Sequence, residues 1–206
     1  MRSGSGRPYS LRGELCELTP FTPADTERVF DYCQDPEIQR WTPIPVPYRM
    51  EDAAIFATGA AQKGWDGDIT EHPRDWAIRI QGEDSKPYLA GSVGLKPNPP
   101  GKSVEVGYLV AADCRGRGLA TDAVRTVVGH ALRDLAMRRV LWQAVVGNWG
   151  SRRLAVRCGF TVEGTLRSQL VLRGQPFDGW IGTILAEDLA KDDGYWTADG
   201  RVRLWD

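Results

Sequence analysis

The stretch CRGRGLATDA, residues 114–123, sets two glycines and two arginines in four consecutive positions and then runs into a helix-forming segment. That segment carries Ala120, Ala123, Val124, Val127, Val128, Ala131, Leu132 and Leu135. This is the i, i+3, i+4, i+7 pattern of an amphipathic helix. Immediately before the turn lies SVEVGYLV, residues 103–110, rich in β-branched and aromatic residues and read as a strand. A strand, a glycine turn and a helix in this order form a place for an anion. The first N–H groups of a helix lack intrahelical partners, and its dipole puts roughly half a positive charge there. Glycine lets the backbone wrap closely around a bound phosphate.

Two phosphate motifs fail on spacing. A P-loop requires Gly-Lys-Ser/Thr, and none follows Gly118. A dinucleotide fingerprint requires a third glycine where Thr121 stands, and an acidic residue near Arg138 and Arg139. The remaining pattern, Arg115-x-x-Gly118-x-Ala120, resembles the R/Q-x-x-G-x-G/A acetyl-CoA motif of the GNAT N-acetyltransferase superfamily. VEVGYLV resembles that family's central bulged strand, VLWQAVV its next strand, and NWGSRRLAVRCGF its N-x-x-S/A…GF segment. WTPIPVPY, residues 41–48, resembles a stretch of the ribosomal-protein N-terminal acetyltransferase (RimJ/RimL-like) branch. The resemblance covers roughly residues 11–187.

It implies an α+β protein of α/β type. The expected core is a mixed, mostly antiparallel, twisted sheet of about seven strands with helices on both faces. Residues 1–10 are read as a flexible tail without the apolar segment of a secretory signal, and residues 11–206 as one domain. LRGELCELTPF is read as a short strand. TPADTERVFDYCQDPEIQ is read as one helix capped by Thr22, with Pro23 in its first position. MEDAAIFATGAAQKG is read as a second helix closed by Gly64, and WDGDITEHP as a polar loop. DWAIRI and YLAGSVGLK are strands, and SQLVLRGQPFDGWIGTILAEDL is a long hairpin turning at RGQP.

The resemblance also assigns a site. The acetyl-CoA diphosphate would sit on the amides of Arg115, Gly116, Arg117, Gly118, Leu119 and Ala120, with Thr121 nearby. Either arginine could add charge-assisted bonds or remain a solvated surface charge. The pantetheine would pair with the edge of Tyr108, Leu109 and Val110 as an added strand, and Asn148 would bond it while also capping a helix. The Leu109 N–H would polarise the thioester carbonyl. Ser151 would protonate the leaving thiolate, or serve as a cap hydroxyl. Many relatives place a tyrosine four residues before the final glycine of this segment, where Ala155 stands here.

A carboxylate in an otherwise apolar strand makes Glu105 the first choice of base, since partial burial raises such a pKa. Its alternative is a solvent-facing or arginine-paired residue. Glu163 and Asp178 are lesser candidates. His72 is read as a loop histidine. Asp66, Asp68 and Glu71 form either a negative rim for a cationic amine or a solvated loop. The implied function is acetyl transfer from acetyl-CoA to a primary amine, on a protein N-terminus or a small molecule, through a ternary complex. The alternative is a non-catalytic acyl-CoA-binding sensor, supported by Ala155 alone.

Composition excludes other classes. With 206 residues, 42% hydrophobic and 26% charged, the chain has the make-up of a globular domain. A net charge of -1 gives no reason to expect nucleic acid. No apolar run reaches the roughly 18–20 residues that cross a bilayer. Cys16, Cys33, Cys114 and Cys158 lie far apart and only two histidines are present, so neither metal nor disulfide is expected. A cytoplasmic monomer or homodimer is the expectation.

Overall fold

The computed structural model describes residues 8–61, 64–82 and 85–190. Among the described residues eight strands form one sheet: β1 (Leu11–Arg12), β2 (Glu17–Thr19), β3 (Arg74–Gln81), β4 (Pro87–Pro97), β5 (Ser103–Val110), β6 (Arg139–Val145), β7 (Thr161–Leu172) and β8 (Gln175–Leu185). Their order is β1-β2-β3-β4-β5-β6-β8-β7. Every neighbouring pair is antiparallel except β5 and β6, which run parallel. The sheet has one strand more than the sequence suggests because LRGELCELTPF bends at Gly13 and folds back on itself as β1 and β2. The long hairpin begins earlier than expected, at Thr161 rather than Ser168.

Period-two alternation divides the two faces of the sheet. Trp76, Ile78, Val93, Leu95, Val104 and Val106 are buried on one face. On the other face of β3 to β5 lie Asp75, Ala77, Gly94, Glu105 and Gly107, by the same register. The apolar face packs on α4 (Leu119–Gly129), whose Ala123, Val124, Val127 and Val128 are fully buried. Beside it lies α5 (Trp149–Arg157). The opposite face is covered by α1 (Thr26–Cys33), α2 (Pro36–Trp41) and α3 (Met50–Ile55), the last continuing through a wide turn at Phe56–Ala60. A short α6 (Ala186–Ala190) follows β8.

The single helix expected over residues 22–39 is two helices. Asp35 accepts the Glu37 N–H at 3.0 Å and Pro36 takes the first position of α2, which repeats the start signal seen at Thr22–Pro23. WDGDITEHP is less polar in its role than its composition suggests, since Trp65 and Ile69 are buried. Tyr9, assigned from sequence to the tail, is packed. Its ring meets Trp65, Trp76 and His130 edge-on, its hydroxyl bonds His130 and Arg74, and its carbonyl accepts from Trp76. Residues 1–7 of the expected tail, and the chain beyond 190, lie outside the described residues.

One tether fixes the helix that carries the glycine turn. The Asp122 carboxylate accepts the consecutive N–H groups of Glu14, Leu15 and Cys16 at 2.9, 2.8 and 3.1 Å. A Cβ on Gly13 would collide with that carboxylate, so the bend and the tether need glycine there. All four cysteines are buried free thiols.

Candidate active site

The parallel strands β5 and β6 pair only at Ser103–Glu105 and Arg139–Leu141. Each then continues without its neighbour, to Val110 and Val145. The result is a gap in the middle of the sheet. A cavity of about 1040 Å³ occupies it and reaches both faces, lined by Asp75, Gly94, Lys96 and Glu105 on one side and Gly116, Asn148 and Ser151 on the other.

The register decides which β5 groups face the gap. The β4–β5 ladder runs from Gly91↔Val110 to Pro97↔Val104 without a shift. The bulge expected in β5 lies instead in β4, where Ala90 is the extra residue opposite Ile78 and Arg79. Ala111 donates to the Ala90 carbonyl at 2.8 Å. Antiparallel alternation then turns the Leu109 N–H toward Ser92 of β4, and leaves those of Tyr108 and Val110 directed at the gap. The Leu109 N–H, expected from sequence to face the thioester, therefore points into the β4–β5 ladder and not into the gap.

The glycine turn has the conformation its sequence demands. Gly116 and Gly118 have φ of +75° and +79°, the left-handed region that side chains disfavour. Gly118 caps α4, and the buried Leu119 anchors the first turn. The N–H groups of Leu119, Ala120 and Thr121 therefore emerge without intrahelical acceptors. Two expectations need correction. The Arg115 amide donates to the Ala112 carbonyl, which removes it from the cradle. The Arg115 guanidinium pairs with Asp35 and donates to the Val110 carbonyl at 3.1 Å, pinning the turn to the start of α2. Arg117 is exposed and makes no ion pair among the described residues. Sequence reasoning passed over Arg153, which lines the cavity from α5.

On the α5 side, the Asn148 side chain caps the helix by accepting the Ser151 N–H at 3.1 Å. Ser151 Oγ lies 2.9 Å from the Tyr108 hydroxyl and 3.0 Å from Trp142 Nε1. The indole can only donate, so Ser151 accepts from it. Tyr108 also reaches the Ser151 carbonyl at 3.3 Å. A Tyr108 hydroxyl directed at Ser151 leaves the serine proton free for the cavity. Burial pushes the Tyr108 phenol up to about 12, so it stays protonated. Ala155, in the place many relatives give to tyrosine, is fully buried. A phenol therefore does line the cavity, from β5 rather than α5.

On the opposite face, Glu105 accepts from Gln143 Nε2 at 3.0 Å, and Gln143 Oε1 accepts from Gln169 at 3.1 Å. Two lesser candidates are engaged elsewhere and do not line the cavity. Glu163 pairs with the Thr183 hydroxyl, and Asp178 accepts the Ser168 N–H at 2.9 Å. Among the described side chains of residues 64–73, none lines the cavity. Asp68 accepts from the Thr70 amide and hydroxyl, Glu71 and His72 are exposed, and the Asp66 side chain lies outside what the structure describes. Of the two readings of this loop, the exposed positions of Asp68 and Glu71 fit the solvated one, and a carboxylate that sequence reading missed, Asp75, lines the cavity instead. In DWAIRI it is simply the polar residue beside Trp76, and only the fold shows that its face borders the cavity.

Residues 16–161 match the acetyltransferase (GNAT) domain family. YdaF of Bacillus subtilis (strain 168) is 36% identical over 77 residues, which span 37% of this chain and 42% of that protein. The ribosomal-protein-serine acetyltransferase of Escherichia coli (strain K12) is 29% identical over 104 residues, 49% of this chain and 56% of that protein. Both aligned stretches cover less than two thirds of the relative. Among solved structures, Mycobacterium smegmatis RimJ in complex with CoA-disulfide superposes with a TM-score of 0.75 at 22% identity, over 89% of this chain and 90% of that one. Among the described residues no helix is long and apolar enough to cross a membrane. The chain belongs to the GNAT acetyltransferase family, the acetyl-CoA-dependent acyltransferases.

Proposed function

We propose that the protein transfers the acetyl group of acetyl-CoA to the primary amine of a peptide N-terminus by direct attack in a ternary complex. The carrying observation is the single cavity that crosses the sheet at the β5–β6 gap, with helix-terminal N–H groups on one side and carboxylates on the other. The name of the Escherichia coli relative favours a ribosomal-protein terminus as acceptor. Gly116 to Thr121 hold the diphosphate through backbone N–H groups and the dipole of α4. The gap-facing groups of Tyr108 and Val110 hold the pantetheine like a neighbouring strand, and one of these two N–H groups polarises the thioester carbonyl. Glu105 takes the proton that the amine must lose, directly or through water. Ser151 protonates the departing thiolate while Tyr108 and Trp142 hold its oxygen.

The test is ligand-dependent stability and thiol release. CoA or acetyl-CoA at 100 times Kd stabilises the native state by about 2.7 kcal/mol, and NAD and ATP much less. Equal shifts with all three would overturn the cradle. Gly118→Val places a branched side chain at φ +79°, with its Cβ 3.1 Å from Leu15 Cδ1. It is expected to remove most of the shift, read as Kd on the folded fraction. An acyl-CoA sensor without catalysis would give the shift but release no thiol with any amine.

Ser151→Ala is expected to lower kcat by roughly 100-fold with little change in acetyl-CoA affinity. The substitution also leaves the Trp142 indole N–H without its acceptor, so the melting point must be followed alongside. Wild-type turnover in a folded Ser151→Ala protein would show that another group, Tyr108 foremost, protonates the thiolate.

A further inference from the structure

Carboxylates inside this protein are paired almost as a rule. Asp25 meets Arg79, Asp35 meets Arg115, Asp122 meets three backbone N–H groups, and Glu105 meets Gln143. Asp75 departs from it. It lines the cavity from β3, where Gly94 stands opposite it, and Gly94 is in turn opposite Gly107 on β5. A Cβ on Gly94 would collide with its carboxylate, and one on Gly107 would meet nothing. The two glycines thus form a flat floor, with Asp75 lying across one end. Among the described residues no hydrogen bond or ion pair reaches Asp75. Burial raises its pKa to about 6, partly opposed by the positive charge of Lys96.

Leaving an ionisable group desolvated and unpaired costs stability, so a carboxylate in this state suits a ligand that supplies the missing donors. The charges around it give the ligand's sign. Among the described residues Lys96 of β4 is the one cation lining this face, against Glu105 of β5, Glu37 of α2 and Asp75 itself. From α1 and the loop after α2 come Tyr32, Cys33 and Tyr48, all raised by burial and hence uncharged at neutral pH. The arginines lining the cavity, Arg115 and Arg153, belong to the glycine turn and to α5, on the acetyl-CoA side. The acceptor half is therefore net negative. β3 and β5 are two strand spacings apart, roughly 10 Å.

We propose that Asp75 selects the acceptor, binding a second, cationic group of the amine substrate roughly 10 Å from the nitrogen that is acetylated. A peptide whose second residue is Lys or Arg has this spacing between its terminal amine and its side-chain cation. The assignment rests on the acetyl-transfer reading above, and two measurements separate them. The first is steady-state kinetics with acetyl-CoA and two acceptors, Ala-Lys-Ala amide and Ala-Gln-Ala amide. The parent protein is expected to favour the lysine peptide in kcat/KM by at least about ten-fold, the effect of one charge-assisted hydrogen bond. Asp75→Asn is expected to remove the preference, with the loss in KM and not in kcat. A preference that survives Asp75→Asn overturns the proposal, as does an equal fall in kcat with both peptides, which would make Asp75 a base.

The second measurement is titration of CoA-loaded protein with the same peptides, which needs no turnover. Tighter binding of the lysine peptide, lost in Asp75→Asn, supports the proposal even if no amine releases thiol, and in that case only the acetyl-transfer reading falls. Equal binding of both peptides to the parent overturns it. Asp75→Asn removes a desolvated charge, so the ligand-free variant is expected to melt no lower than the parent at pH 7.5. A lower melting point would assign Asp75 to the fold rather than to the acceptor.

Discussion

Replacing Arg79 by Met is expected to lower the unfolding free energy by about 3–5 kcal/mol, the usual cost of stripping one partner from a buried ion pair. For a domain of this size that is a fall of roughly 6–20 °C in Tm. Asp25, 6% exposed, receives both arms of the guanidinium at 2.9 and 2.8 Å, along with the Thr22 N–H and hydroxyl. Burial alone would raise its pKa, but Arg79 and the Thr22 donors outweigh burial and lower it. A carboxylate lowered in the folded state contributes stability that is complete above its unfolded pKa of about 3.9 and is lost as pH falls below it. The parent should therefore lose stability more steeply than Arg79→Met on acidification through that range. The pair joins the start of α1 to β3. A double variant, Asp25→Asn with Arg79→Met, should be less damaged than Arg79→Met alone, because no unpaired charge remains. Equal melting points for parent and Arg79→Met would show that the Thr22 donors suffice.

The elements with local signals were legible in the sequence. Gly116 and Gly118 declare a left-handed turn, the 3.6-residue period that follows declares α4, and the two required no knowledge of distant residues. Thr22–Pro23 was legible for the same reason. Its repeat at Asp35–Pro36 was passed over because the apolar period runs through it from α1 into α2. What failed depends on contacts far apart in sequence. Arg115 looked like a phosphate ligand, but its partner Asp35 is 80 positions away. Tyr9 looked like tail, but its packing needs Trp65, Trp76 and His130.

The site divides in the same way. Ser151 and Asn148 could be placed because a single helix start fixes both. Which N–H groups of β5 face the gap could not be read, since a one-residue change in strand register reverses them. Asp75 was invisible because alternation tells only that Asp75 and Trp76 face opposite ways. Which of those faces meets the cavity is settled by α1 to α3 covering one side and α4 the other. Glu105 lay between these cases. Its strand was clear, but its partner Gln143 comes from a strand that pairs with β5 over only three residues.

Glu105→Gln is expected to lower kcat by 10² to 10⁴, the range for loss of a positioned general base. Acetyl-CoA affinity should survive, because the diphosphate cradle lies beyond the other end of β5. The acidic limb of the pH profile for kcat/KM should shift or vanish. The hydrogen-bond chain around Glu105 allows a sharper test than the rate alone. An ionised carboxylate only accepts, so Gln143 must present its Nε2 to Glu105 and its Oε1 to Gln169. Each bond in the chain thus points toward Glu105. In Glu105→Gln the new side chain can keep its oxygen toward Gln143 and preserve that direction, so folding should be little affected. Gln143→Leu removes the donor while keeping the carboxylate. It should lose much less rate than Glu105→Gln does. A folded Glu105→Gln protein with an unaltered pH-rate profile would eliminate Glu105 as base. Since Glu163 and Asp178 do not line the cavity, Asp75 and Glu37 would then be the carboxylates among the described residues left to take the proton.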